Sequence, residues 1–173
     1  MKLRDYYFGK PVTLRSPLRP DEIAERIKDE TRVNWWMMPF RTGPVGGVRW
    51  GRLRLRYFNS PFQYNAKPLL IGRMERAMTG TVMRLNYRGD TWSRIFFLLW
   101  YLFMAVIAMF FLAAGFDPPL HGAEKLFPLA VLALLAITPI IMHAIGTSRS
   151  DEDLAALIEF LERVTEAKRS PGD

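Results

Sequence analysis

The chain has 173 residues, contains no cysteine and carries a formal net charge of +7, with 19 of its 24 Lys and Arg residues in the first 94 positions. The absence of cysteine excludes disulfides, iron–sulfur clusters, thiolate zinc sites and cysteine nucleophiles. A basic front segment of this kind favours partners that carry negative charge, such as the headgroups of a membrane.

The first 92 residues are predicted to form a cytoplasmic α+β domain. A short extended piece over 11–18 precedes a helix over about 20–32, because a proline and two acidic residues fill the first turn of that helix. The glycine-rich segment over 42–47 is predicted to be a flexible loop. A three-turn helix is marginal alone, so we expect it to pack on another element.

A dense apolar and aromatic cluster occupies positions 33–40. Its rings suit the core of a small domain, the interface of a membrane or the lining of an apolar pocket. Trp92, which directly precedes the apolar part of the chain, suits a membrane interface for the same reason. The candidate interfacial or pocket residues are Trp35, Trp36, Phe40 and Trp92.

From Val48 onward the sequence alternates between apolar and basic residues with a period of two, which is typical of strands with one buried face. Strands are predicted at about 48–58, 67–76 and 81–88, where they form a three-stranded antiparallel meander. The piece at 11–16 is a candidate fourth strand.

The alternation places six arginines on one face of this meander. A basic sheet face suits anionic lipid headgroups, or else the acidic tail helix or an acidic partner. No nucleic-acid recognition motif accompanies the arginines, so we expect no nucleic-acid partner. The candidate contact residues are Arg52, Arg54, Arg56, Arg73, Arg84 and Arg88.

Two uncharged apolar stretches, 95–116 and 126–148, are each more than 20 residues long. A helix of that length spans roughly 33 Å, which is enough for a hydrocarbon layer of about 30 Å. The sequence therefore predicts a transmembrane hairpin over 93–148. Because Lys and Arg flank its outer ends, the positive-inside rule places both termini in the cytoplasm and the protein in the inner membrane.

Small residues recur along both predicted spans, where they allow helices to approach closely in lipid. They suit packing of the two helices on each other, or a docking face for another membrane protein. These positions are Ala105, Ala108, Ala130, Ala133 and Ala136.

The last predicted region, 149–173, contains an amphipathic helix over about 151–167. Three acidic residues follow a serine at its start, and apolar residues recur at helical spacing. We expect this tail helix to pack on the front domain, with its acidic face toward the basic residues there.

Motifs of catalysis are missing from the sequence, which has no phosphate-binding loop, no G-x-S-x-G turn and no H-E-x-x-H helix. His143, the only ionisable residue inside a predicted span, lies near its cytoplasmic end, and His121 lies in the opposite loop. We therefore predict no catalytic residue, no metal site and no cofactor.

A basic strand leads into Asn59-Ser60-Pro61-Phe62, which is followed by Lys67-Pro68, Gly72-Arg73-Met74-Glu75 and Gly80-Thr81. This arrangement, over about 48–165, resembles a group of small uncharacterised bacterial two-span membrane proteins. That group more often has N-S-F-x-P where this chain has N-S-P-F. The resemblance implies a sheet, two spans and a C-terminal amphipathic helix, and it implies no activity.

The fold class predicted from the sequence is a membrane α+β fold. A small antiparallel sheet with N- and C-terminal helices is mounted on a two-helix transmembrane hairpin. The predicted function is that of a non-catalytic accessory or scaffolding subunit, with membrane lipid and other membrane subunits or a second copy as partners. The alternative is a membrane-anchored module that senses a lipid or small ligand through an apolar pocket.

Overall fold

The computed structural model describes residues 1–32, 42–58, 67–113 and 123–169. The chain divides into two compact units. The first, named here the sheet domain, consists of Met1–Asp90 and Gly146–Asp173. The second, named the apolar unit, is Thr91–Ile145.

Over the described residues, six strands form one antiparallel sheet. They are β1 (Lys10–Ser16), β2 (Gly43–Arg49), β3 (Arg52–Phe58), β4 (Leu69–Ala77), β5 (Gly80–Arg88) and β6 (Lys168–Arg169). Their order in the sheet is β2-β3-β4-β5-β1-β6. The helices are α1 (Leu3–Phe8), α2 (Pro20–Thr31), α3 (Thr91–Ala113), α4 (Ala123–Thr147) and α5 (Ser150–Thr165).

Helix α2 carries its own start signal. Pro20 lies in the first turn, and the backbone N–H of Arg19 donates to the Glu22 carboxylate at 3.0 Å. Ile23 and Ile27, one turn apart, are fully buried in the core. The helix is therefore held by a narrow apolar stripe and by a cap that the local sequence supplies.

The core lies between one face of the sheet and the helices α2 and α5. Alternate strand residues point into it, so that Leu53 and Leu55 of β3 are buried while Arg52 and Arg54 are exposed. A fully buried Leu or Ile contributes about 1.5–3 kcal/mol. The apolar stripe that α5 adds to this core consists of Leu154, Leu157, Ile158, Leu161 and Val164.

Polar contacts also fix α5 against the sheet. Lys67 Nζ lies 3.0 Å from Asp153 Oδ2, and these side chains are 12 % and 4 % exposed. The buried hydroxyl of Ser16 donates to the Thr165 carbonyl oxygen at 2.5 Å. Because buried polar groups need partners, these contacts favour one docking position for the helix.

The prediction of a loop over 42–47 is wrong, because Gly43–Arg49 forms strand β2 and pairs along its whole length with β3. Gly46 shows why glycine stands here. Its φ is +144°, and a Cβ atom at this position would lie 2.0 Å from the Arg54 carbonyl oxygen. Glycine at this position allows the two strands to approach closely, and it does not indicate a flexible loop.

In the apolar unit, the long helix α3 exposes apolar side chains on most of its surface. Its stretch Thr91–Phe110 is the one helix, over the described residues, that is long and apolar enough to cross a membrane, and 6 % of it is buried. Trp100 Nε1 donates to the Leu135 carbonyl oxygen of α4 at 3.1 Å. The ring of Phe97 meets His143 edge-on, with centroids 5.8 Å apart.

The predicted membrane α+β fold with a two-helix transmembrane hairpin over 93–148 is wrong. The structure is an α+β fold with a six-stranded sheet, and one helix among the described residues has the length and composition of a span. The length of an apolar run does not fix the bounds of a helix, because backbone hydrogen bonding sets them. Helix α4 begins at Ala123, so Glu124 and Lys125 fall in its first turn. The end of the first predicted span, 114–116, lies outside the described residues.

Candidate interaction surface

The sheet has one face covered by α2 and α5 and an opposite face that carries arginines. The period-two alternation of β3 produces this division, because Leu53 and Leu55 point into the core while the residues on either side of them point away. This second surface is named the arginine face. All six predicted contact residues lie on it: Arg52, Arg54, Arg56, Arg73, Arg84 and Arg88.

Strand register brings four arginines into one row across β2, β3, β4 and β5. Arg49 lies opposite Arg52, Arg52 opposite Arg73, and Arg73 opposite Arg84. Neighbouring strands are about 4.8 Å apart, so the row is about 14 Å long. Like charges directly opposite each other in a ladder are destabilising. Arg49, which the sequence analysis did not include, completes this arginine row.

The arginine face is an open groove of about 750 Å³ beside the row. Its floor includes Ile71 and Gly72 of β4 and Asn86 of β5. Arg56 and Arg88 lie two residues further along their strands than Arg54 and Asn86. The surface therefore combines a shallow apolar floor with guanidinium groups around it.

Carboxylates neutralise part of this charge. Arg54 pairs with Asp90 at 2.9 Å, and Arg84 pairs with Glu75 at 3.5 Å. Over the described part of the chain, the other arginines that β2 to β5 place on this face have no carboxylate partner: Arg49, Arg52, Arg56, Arg73 and Arg88. The seven arginines from these four strands thus meet two carboxylates, which leaves a strongly positive surface.

Two arginines at one end of the face are partly withdrawn from water. Burial lowers the pKa of Arg56, the nearby Asp90 raises it, and the neighbouring Arg54 lowers it. The buried Nε of Arg88 has no hydrogen-bond partner among the described residues. A desolvated guanidinium without an anion is unfavourable, so this end of the face favours a bound anionic group.

The turn between β2 and β3 presents an aromatic ring beside the arginine row. Trp50 and Gly51 have φ of +51° and +70°, the left-handed pair that a two-residue hairpin turn requires. Trp50 is 85 % exposed, and the Arg49 guanidinium lies 4.2 Å from its ring centroid. The only sequence signal for this tip was an Arg-Trp-Gly-Arg run between alternating segments.

The other predicted site residues lie in the apolar unit or outside the described chain. Trp92, in the first turn of α3, is exposed. Four of the five alanines are exposed and Ala136 is half-buried; the exposed ones are Ala105, Ala108, Ala130 and Ala133. Trp35, Trp36 and Phe40, and with them the predicted apolar pocket, lie outside the described residues.

Among the described residues, no cluster of three or more His, Cys, Asp or Glu side chains is placed to hold a metal ion. His143 packs against an aromatic ring. A comparison with protein-family models, curated proteins and solved structures found no match. The arginine face is therefore the candidate site, and its chemistry is the binding of anionic groups.

Proposed function

We propose that the protein is a membrane-attached accessory module without catalytic activity, in which the apolar unit enters lipid and the sheet domain contacts other components. The exposed apolar surface of α3 carries this proposal. Leu102, in the middle of the helix, is 61 % exposed, and Phe103, Val106 and Phe110 are also exposed. A continuous apolar surface of this kind is unfavourable in water and is typical of a membrane or protein contact.

The path of the chain supports one location for both termini. The chain leaves the sheet domain at Asp90 and re-enters it at Gly146. Both termini therefore belong to one domain. The Lys and Arg excess before α3 favours the cytoplasmic side of an inner membrane.

An accessory role is supported by the two kinds of surface that the chain offers. The apolar unit suits lateral contact within lipid, and the arginine face suits anionic groups outside it. A small protein with both surfaces is suited to hold components of a larger membrane assembly together.

The test is fractionation of the full-length protein expressed at its native level. We expect it to remain in membranes after an alkaline carbonate wash, and to leave them in mild detergent as a particle larger than a monomer. An arginine in the middle of a span costs about 2.5–3.5 kcal/mol of insertion free energy. Leu102→Arg should therefore reduce membrane retention, whereas Ala155→Arg, on the exposed side of α5, should not.

Wild-type protein in the soluble fraction contradicts the membrane attachment. A detergent-released monomer without any accompanying subunit contradicts the accessory role.

A further inference from the structure

We infer that the sheet domain lies with its arginine face on acidic phospholipid, and that the Trp50 turn anchors the edge of the domain in the lipid interface. This inference rests on the proposed membrane attachment and names the partner of the arginine face. The charge of the face, the conformation of Trp50 and the exit point of the chain support it independently.

The first support is charge that the fold leaves unmatched. Arg52, Arg73 and Arg84 are consecutive neighbours in the arginine row, and the only carboxylate paired with them over the described residues is Glu75. An array of phosphate groups places one anion near each guanidinium and removes the repulsion between them. The row therefore matches a surface of many anions better than it matches one small ion.

The second support is a bulky aromatic residue in a conformation that folding alone disfavours. Trp50 has φ +51°, which is uncommon for residues other than Gly, Asn or Asp. Its ring is exposed rather than packed in the core. Backbone strain of this kind persists mostly where function requires the side chain. Tryptophan is enriched at membrane interfaces, where its apolar ring and its N–H group are both satisfied.

A second apolar tip lies at the same end of the sheet. Met78, in the turn between β4 and β5, is fully exposed. Met74 of β4 donates its backbone N–H to the Gly51 carbonyl oxygen at 3.0 Å, so the two turns lie at one end of the strands. Two exposed apolar tips at one end provide a second contact with lipid beside the arginine row.

The third support is the place where the chain leaves the sheet domain. Asp90 pairs with Arg54 on the arginine face, and α3 begins at the next residue. This exit lies at the opposite end of β5 from its turn, about 30 Å away along nine residues. The tether and the apolar tips thus lie at opposite ends of the domain, with the arginines between them. A domain held at both ends lies flat, with those arginines on the headgroups.

Acidic lipid explains these features better than nucleic acid does. Phosphodiester groups also suit arginine, but single-stranded nucleic acid stacks successive bases on aromatic side chains. Trp50 supplies one such ring beside the arginine row, and the second tip, Met78, supplies none. The apolar tips and the adjacent start of α3 instead favour an interface between water and lipid.

The experiment uses a fluorescent probe on the full-length chain, which has no native cysteine. Met78→Cys carries an environment-sensitive fluorophore, and Glu159→Cys, on the exposed side of α5, carries the same probe as control. Each protein is reconstituted into vesicles of phosphatidylcholine alone or with added phosphatidylglycerol. We expect the emission of the probe at 78 to shift to shorter wavelength only with phosphatidylglycerol, and to return at high salt. The probe at 159 should report water in both.

Charge variants identify the face that binds. Each basic residue on an acidic surface strengthens docking roughly fivefold, so Arg52→Gln with Arg73→Gln should weaken it roughly thirtyfold. Lys28→Gln with Arg163→Gln removes the same charge from exposed helix positions and should leave docking unchanged. Trp50→Asn removes the ring but keeps a residue that suits the left-handed turn, so it should weaken docking without lowering the unfolding temperature.

Three results overturn the inference: a probe at 78 that reports water with phosphatidylglycerol, equal burial in both vesicles, or equal effects of the two charge pairs. Release of the docked probe by a single-stranded oligonucleotide at physiological salt also overturns it, in favour of nucleic acid. A chain that enters neither vesicle contradicts the proposed membrane attachment instead, so the two failures are distinguishable.

Discussion

Arg52 lies directly opposite Arg73 in the ladder between β3 and β4, with Arg49 and Arg84 continuing the same row on either side. Such a row is unfavourable for the isolated domain, since like charges face each other across each pair of strands. The core on the opposite face of the sheet holds the strands together against this repulsion. The row therefore does not serve folding, which agrees with the proposal that it binds anionic groups.

Removal of the central charge should stabilise the protein. Arg73 has like-charged neighbours on both sides, so Arg73→Gln should raise the free energy of unfolding by about 0.2–1 kcal/mol at low ionic strength. Salt should diminish the gain, because it screens the repulsion in the wild type. Denaturant unfolding of the full chain in detergent measures it, with Arg163→Gln as control. A lower stability of Arg73→Gln contradicts the repulsion.

A better turn residue should also stabilise the hairpin of β2 and β3. The left-handed conformation costs a bulky residue about 1–2 kcal/mol, whereas asparagine tolerates it. Trp50→Asn should therefore unfold at a higher temperature than the wild type. Trp50→Ala serves as the matched comparison, because alanine removes the ring but does not favour the left-handed conformation. If both variants lose stability equally, Trp50 contributes to the fold itself, and its backbone strain is no sign of function.

The buried ion pair that docks α5 should show strong coupling. Asp153→Leu leaves Lys67 buried without its carboxylate and should cost about 3–5 kcal/mol. The double change Lys67→Met with Asp153→Leu replaces the pair by apolar groups and should recover most of that loss. Thermal unfolding of the two variants beside the wild type measures the difference. A double variant as unstable as Asp153→Leu would show that loss of the ion pair is not the cause.

The cap of α2 should make stability depend on pH. The hydrogen bond from the backbone N–H of Arg19 lowers the pKa of Glu22 below its ordinary value of 4.5; desolvation opposes this, and the Arg19 side chain lowers the pKa further. A depressed folded-state pKa stabilises the protein above pH 4.5, and this stability is lost as the pH falls through the folded value. Glu22→Gln should flatten unfolding curves recorded below pH 5, and an unchanged slope contradicts this role.

Local patterns predicted those parts of the structure that local physics determines. The alternation around Leu53 and Leu55 is enough to separate a buried from a basic face, because successive strand residues always point in opposite directions. Pro20 and Glu22 likewise fix the start of α2 within one turn. The arginine face therefore follows from the amino-acid sequence alone.

Features that depend on pairing between distant segments could not be predicted. The glycines of β2 look like a loop until β3 lies beside them, since close approach is invisible in the sequence of one strand. The contribution of Arg49 to the arginine row follows from register, which the turn at Trp50 sets. The prediction of a two-span hairpin was wrong because the length of an apolar run does not fix the bounds of α4.

The most direct test of the whole account is the environment of Leu102 in α3. A spin label on Leu102→Cys in the full-length chain, reconstituted into phospholipid vesicles, reports its access to oxygen in lipid and to a nickel complex in water. The account predicts high oxygen access and low nickel access at 102, and the reverse for a label on Glu159→Cys. Equal nickel access at the two positions would show that α3 does not lie in lipid and would contradict the membrane attachment.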